Sequence, residues 1–101
     1  MKTKFDININ NKLLIKYFIG MKNKIYKCLP MYEEESPTLG QYLNNLLYEL
    51  CGGAEIMEED IYVELINKLA YVNRLDTHEE YKRQIFDCLN TCEKIIKRLE
   101  G

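Results

Sequence analysis

Apolar residues recur along most of the chain at intervals of three and four, the spacing of one helix face. Only two prolines and five glycines interrupt the pattern. The first series is Leu14, Phe18, Met21, Ile25 and Cys28, in a helix expected to start near Lys12 with Asn10 or Asn11 as its cap. Tyr32 continues the series in phase beyond Pro30, so the proline is expected to kink the last turn rather than begin a new element. Ser36-Pro37 reads as an N-cap followed by proline at the first helical position. A second helix then carries Leu39, Leu43, Leu46 and Leu50, and Gly52-Gly53 is expected to end it. A third, from near Glu58, carries Ile61, Leu65, Leu69 and Val72. The fourth opens on Thr77-His78-Glu79-Glu80, a capping box, and has the most regular stripe: Tyr81, Ile85, Cys88, Cys92, Ile95 and Leu99.

These segments predict an all-α protein, a compact four-helix bundle that occupies residues 11–101 as a single domain. Residues 1–10 precede it as a short N-terminal extended arm. Its "KFDINI" alternates Phe5, Ile7 and Ile9 as a strand would, but a lone strand has nothing to pair with in a helical chain. Composition agrees with one small globular domain: 101 residues, 47% hydrophobic and 30% charged. A net charge of −2 is too small for bulk attraction to nucleic acid or membrane. No apolar run approaches the roughly 20 residues that span a bilayer. The opening "MKTKFDININN" lacks the apolar stretch of a secretory signal. A cytoplasmic location is therefore expected, with all four cysteines as thiols.

Charge changes the picture through its distribution. Residues 1–30 carry seven lysines against Asp6 alone, whereas residues 31–60 carry seven glutamates and Asp60 with no basic residue. Glu33, Glu34 and Glu35 stand just before the second helix, and Glu58, Glu59 and Asp60 open the third, where carboxylates complement the helix dipole. The lysines of the first helix read either as an ordinary solvated face or as a surface that meets phosphate or acidic groups. At about 100° per residue, Lys12, Lys16, Asn23 and Lys27 fall on one line of the first helix, opposite its apolar stripe. Lys12 and Lys16 lie in the first turns, where the dipole disfavours them. Gly20, near the same line, would allow close approach to the backbone. Ile15, Ile19 and Tyr26 widen the apolar arc on one flank. Either this helix packs centrally against two neighbours, or Ile15 and Ile19 belong to a homo-oligomer interface.

Reactive chemistry is sparse. His78 is the single histidine and lies inside the capping box, with no serine or cysteine at a spacing that would make a nucleophile–base pair. Cys88 and Cys92 are one turn apart, a spacing that can hold zinc, but with Cys28 they occupy core positions where free cysteine behaves as a small hydrophobe. Neither a metal nor a cofactor is expected. Gly52-Gly53 lacks the spacing of a phosphate-binding loop. The third helix is largely acidic or neutral, so a basic recognition helix is missing and sequence-specific nucleic-acid binding is unexpected. No enzymatic activity is expected.

The run "NKIYKCLPMYEE" followed by "LGQYLNNLLYEL" resembles small helical accessory proteins encoded by phages and prophages of low-GC Gram-positive bacteria. The likeness lies in a basic helix running into Leu29-Pro30 and in the acidic cluster from Tyr32 to Glu34. It continues in the second helix from Leu46 to Leu50 and in the last helix from Tyr81 to Leu99. It covers most of the chain after Lys12. It implies a context rather than a reaction, since that family has no assigned activity or site residues. Such proteins act by binding in the cytoplasm of a bacterial host, by blocking a defence factor or trapping its nucleotide signal.

Three roles follow as expectations. The first is protein–protein binding, possible inhibition of a host defence factor, through the acidic edge, the tyrosines and the spare apolar flank. The second is an oligomeric sponge for an anionic signalling nucleotide, in which Lys12, Lys16 and Lys27 meet phosphates and Tyr26 stacks on a base. The third is a structural or adaptor helical protein.

Overall fold

The computed structural model describes residues 11–54 and 60–101. The expected arm over residues 1–10 and the start of the third helix near Glu58 lie outside the described residues. The helices are α1 (Asn11–Tyr26), α2 (Cys28–Glu33), α3 (Leu39–Ala54), α4 (Asp60–Tyr71) with a 3₁₀ turn at Val72–Arg74, and α5 (His78–Glu100). No strand occurs among the described residues. The chain is an all-α four-helix bundle in which α1 and α2 together form the first arm.

Pro30 makes the break between those two. It has no N–H to offer the carbonyl of Tyr26, and its ring crowds that carbonyl. Lys27 nevertheless stays in helical backbone, with φ −62° and ψ −18°. The bonds Lys27 N–H to Asn23 C=O and Met31 N–H to Lys27 C=O bridge the gap at 3.3 Å each. The predicted kink is present, and the apolar phase survives it: Leu14, Phe18, Met21, Ile25 and Cys28 are buried, and beyond Pro30 Tyr32 packs partly buried against the core.

The helices run alternately up and down. Asn11 Nδ2 donates to the Leu99 carbonyl at 3.3 Å at one end, while the rings of Tyr32 and Tyr81 stack with centroids 4.2 Å apart at the other. The α1–α2 rod is thus antiparallel to α5. Thr77 Oγ1 accepts the Glu80 backbone N–H at 3.2 Å, the expected cap of α5. Beside the predicted stripe of α5, Leu89, Thr91 and Ile96 are also buried. That arc is wide enough to face α1 on one side and α4 on the other. The central helix is therefore α5 rather than α1.

Two local expectations are corrected. Gly52-Gly53 does not end the helix, because α3 continues through both glycines to Ala54. The reason for glycine is packing. Tyr62 of α4 is 1% exposed, and its hydroxyl donates to the Leu50 carbonyl at 2.5 Å. A Cβ at Gly53 would run into that hydroxyl. The second correction concerns the glutamates. Glu33 ends α2, and the Glu35 and Ser36 N–H groups turn back to the Tyr32 and Met31 carbonyls at 3.1 and 2.9 Å, a helix C-terminal motif with Glu35 at φ 53°. The carboxylates sit at a helix C-terminus, where the dipole opposes them, and α3 begins only at Leu39.

Candidate binding face on the first helix

The sequence residues singled out on the first helix separate by depth. Lys12, Lys16, Asn23 and Lys27 are all exposed, Lys27 at the break between α1 and α2. Ile15 is partly buried and packs against the core, so it belongs largely to the bundle. Ile19 and Tyr26 do not: they are 47% and 54% exposed, and Leu13 is 64% exposed. A Cβ placed on Gly20 would meet nothing within 4 Å. The outer face of α1 is thus a convex surface with lysines along its middle and Ile19 and Tyr26 on one flank. Lys16 and Lys27 make no ion pair among the described residues.

The other lysines of α1 do structural work. Lys22 pairs with Glu93 of α5, and Lys24 Nζ lies 3.4 Å from Glu49 Oε2 of α3. The Lys22 ammonium holds the Glu93 carboxyl below its ordinary range. A carboxyl depressed in the fold adds stability above its unfolded pKa and loses it as pH falls through the folded value. This α1–α5 tie therefore weakens only in acid.

A second polar cluster, which sequence reading missed, joins α4 to α5. Lys68 Nζ lies 3.1 Å from Asp87 Oδ1, 3.1 Å from Thr91 Oγ1 and 3.2 Å from Glu64 Oε1. Gln84 Nε2 donates to the Lys68 carbonyl at 2.9 Å. Burial alone would lower the Lys68 pKa, but hydrogen bonds and charge from Asp87 and Glu64 outweigh it and hold the ammonium above its usual value. Glu64/Lys68 and Asp87/Thr91 at i,i+4 were visible in the sequence; their meeting across two helices was not. Fully satisfied in this way, the cluster fixes how α4 sits on α5.

Near the start of α5, the ring of Tyr32 lies between two others. It stacks on Tyr81 and, at 5.5 Å between centroids, on His78. His78 Nε2 lies 3.3 Å from Glu33 Oε1. The histidine thus fastens α2 to α5. The buried Tyr81 hydroxyl makes no hydrogen bond of normal geometry among the described residues, and the neighbouring Cys28 thiol and Tyr32 phenol act on its ionisation. Burial pushes the Tyr81 phenol upward, with the Cys28 charge adding to it.

Cys28, Cys88 and Cys92 lie in the core and Cys51 is exposed. Burial raises the Cys28 thiol to about 11 and those of Cys88 and Cys92 to about 12. At neutral pH these three are protonated and shielded. In native protein one of the four thiols, Cys51, is expected to react promptly with a colorimetric disulfide reagent, and the other three only on denaturation. Prompt reaction of two or more would contradict the packing of α5. Among the described residues no three His, Cys, Asp or Glu side chains gather as a metal site.

Three shallow depressions lie elsewhere: along α5 at Arg83, Phe86 and Asn90, near the start of α3 at Thr38 and Tyr42, and on α4 at Asn67, Tyr71 and Arg74. None of these three is lined by the lysines of α1. Among the described residues no helix is long and apolar enough to cross a membrane. No protein-family model, curated protein or solved structure matches the chain.

Proposed function

We propose that this is a non-enzymatic accessory protein of the phage type, which acts by binding a host protein and so inhibits a defence factor, with the outer face of α1 as its contact surface. The observation that carries this reading is an apolar excess. α1 buries its whole stripe in the bundle and still leaves Leu13, Ile19 and Tyr26 exposed among Lys12, Lys16 and Lys27. A tyrosine and aliphatic residues ringed by long charged side chains have the composition of a protein interface. A nucleotide sponge using the same lysines and Tyr26 would have to take its second wall from another copy, since one convex helix face supplies none.

The test is affinity capture from host extract with the tagged wild type, with Ile19→Arg, and with Lys82→Glu, an exposed change on α5. A partner retained by the wild type and Lys82→Glu but lost with Ile19→Arg is the expected result. Identical capture by all three would sink the assignment of this face. The absorbance ratio at 260 and 280 nm of protein purified from cells reads the sponge alternative, because a chain with no tryptophan absorbs weakly at 280 nm and bound nucleotide stands out.

A further inference from the structure

Along the rod made by α1 and α2, fixed charge runs against the helix dipole at both ends. Lys12 and Lys16 stand in the first turns, while Glu33 and Glu34 close the last and Glu35 follows. Lys16 follows the first turn and Glu34 caps the last, and the dipole favours neither placement. The glutamates cannot be credited to the start of α3, since Ser36, Pro37 and Thr38 intervene.

We infer that a second copy of this chain docks antiparallel on the outer face of the α1–α2 rod, about a two-fold axis near Asn23, with the basic end of each rod against the acidic end of the other. The second copy takes the same face read above as the host contact surface, so the inference rests on that reading, and a host protein binds there in competition with the dimer. Charge complementarity selects the occupant. A rod that is basic at one end and acidic at the other is its own complement when reversed, and the two macrodipoles then oppose each other favourably.

The register supports it residue by residue. Asn23 lies midway between Lys12 and Glu34 and is exposed. With the axis there, Lys16 stands one turn from Glu34 of the second copy. Helical side chains lean toward their own N-terminus, so Lys16 leans toward that glutamate, and Lys27 of the second copy leans away from Lys16. On one side of the Asn23 line, Ile19 comes level with Tyr26 of the second copy, and the contact repeats by symmetry. On the other side, Gly20 leaves open the space that the methylene stem of Lys27 from the second copy would cover. Among the described residues, neither Lys16 nor Glu34 has an ion-pair partner in its own chain.

The experiment is sedimentation equilibrium across the micromolar range, with the melting curve of each variant recorded. The wild type is expected at twice the 12.0 kDa chain mass. Lys16→Glu and Glu34→Lys should each weaken the dimer by about tenfold, since each turns a symmetry-repeated attraction into a repulsion. The two changes combined in one chain should restore it. Gly20→Leu should abolish the dimer, and at dilutions where the wild type is also dissociated its melting should be unchanged or raised, because leucine is the better helix former. A wild type that stays monomeric throughout overturns the inference and leaves the face to a host protein alone. A combined charge swap no stronger than its parents overturns it as well. Host capture that Ile19→Arg abolishes in a monomeric wild type would keep the binding reading and remove the dimer.

Discussion

Phe18→Ala is expected to lower stability by about 3–5 kcal/mol, the usual cost of emptying a large aromatic site in a core. Phe18 is 0% exposed and joins α1 to α4 in the core. Its ring packs edge-on to Tyr62 of α4, with centroids 6.0 Å apart and planes at 78°, and to Tyr17 at 5.2 Å and 82°. Such pairs add about 0.5–1.5 kcal/mol beyond buried area. The surrounding residues are held by their own helices, so collapse into the void is limited. A domain of this size has about 5–15 kcal/mol in total, and each kcal/mol moves the midpoint by about 4–8 °C. The Tm should therefore fall by roughly 12–40 °C. Phe86→Ala, at a site 41% exposed, is the control and should cost under about 1 kcal/mol. Urea melts of both variants decide the matter, and equal losses would mean that Phe18 does not anchor α1 to α4.

Gly53→Ala is expected to destabilise by about 1–3 kcal/mol even though alanine is the better helix former by nearly 1 kcal/mol. The added methyl would meet the hydroxyl of Tyr62 and come within 3.1 Å of its Cζ, atoms of a ring fixed in the core. Moving the ring would also break the bond to the Leu50 carbonyl and leave a buried acceptor short of a partner. Gly20→Ala should do the reverse and gain about 0.5–1 kcal/mol, because nothing stands within 4 Å of its Cβ. Both are helical glycines, and only their surroundings differ. In the double variant Gly53→Ala with Tyr62→Phe, part of the loss should return, since the closest contact is gone while the ring remains near. Equal stability of Gly53→Ala and Gly20→Ala would show that the Tyr62 contact is not what requires glycine.

The core was legible because burial imposes a helical period that survives in any order of packing. Leu14 through Cys28, Leu43 through Leu50, Ile61 through Val72 and Tyr81 through Leu99 are buried as their spacing implies. Local chemistry was also readable where both partners are near in sequence, as with Thr77 and Glu80. What escaped depended on the neighbours of a residue. Gly53 looks like a helix stop until Tyr62 is placed against it. Glu33 to Glu35 look like the start of a helix until α2 is seen to end there. That α5 rather than α1 is central depended on Leu89, Thr91 and Ile96, which flank the stripe and could equally have been surface. On the candidate face, the angular line of Lys12, Lys16 and Lys27 followed from the helical period. The difference between Ile15 and Ile19, one turn apart, did not, because only the position of the core separates them.

The central place of α5 also sets an order in time. During synthesis roughly fifty residues separate the end of α1 from the start of α5, on the order of 3–10 s at ordinary elongation rates. For that interval Leu14, Phe18, Met21 and Ile25 have no α5 to cover them. The nascent α1 is then an amphipathic helix with a bare apolar stripe, and slowing translation between codons 27 and 77 should lengthen its exposure to chaperones without altering the finished fold.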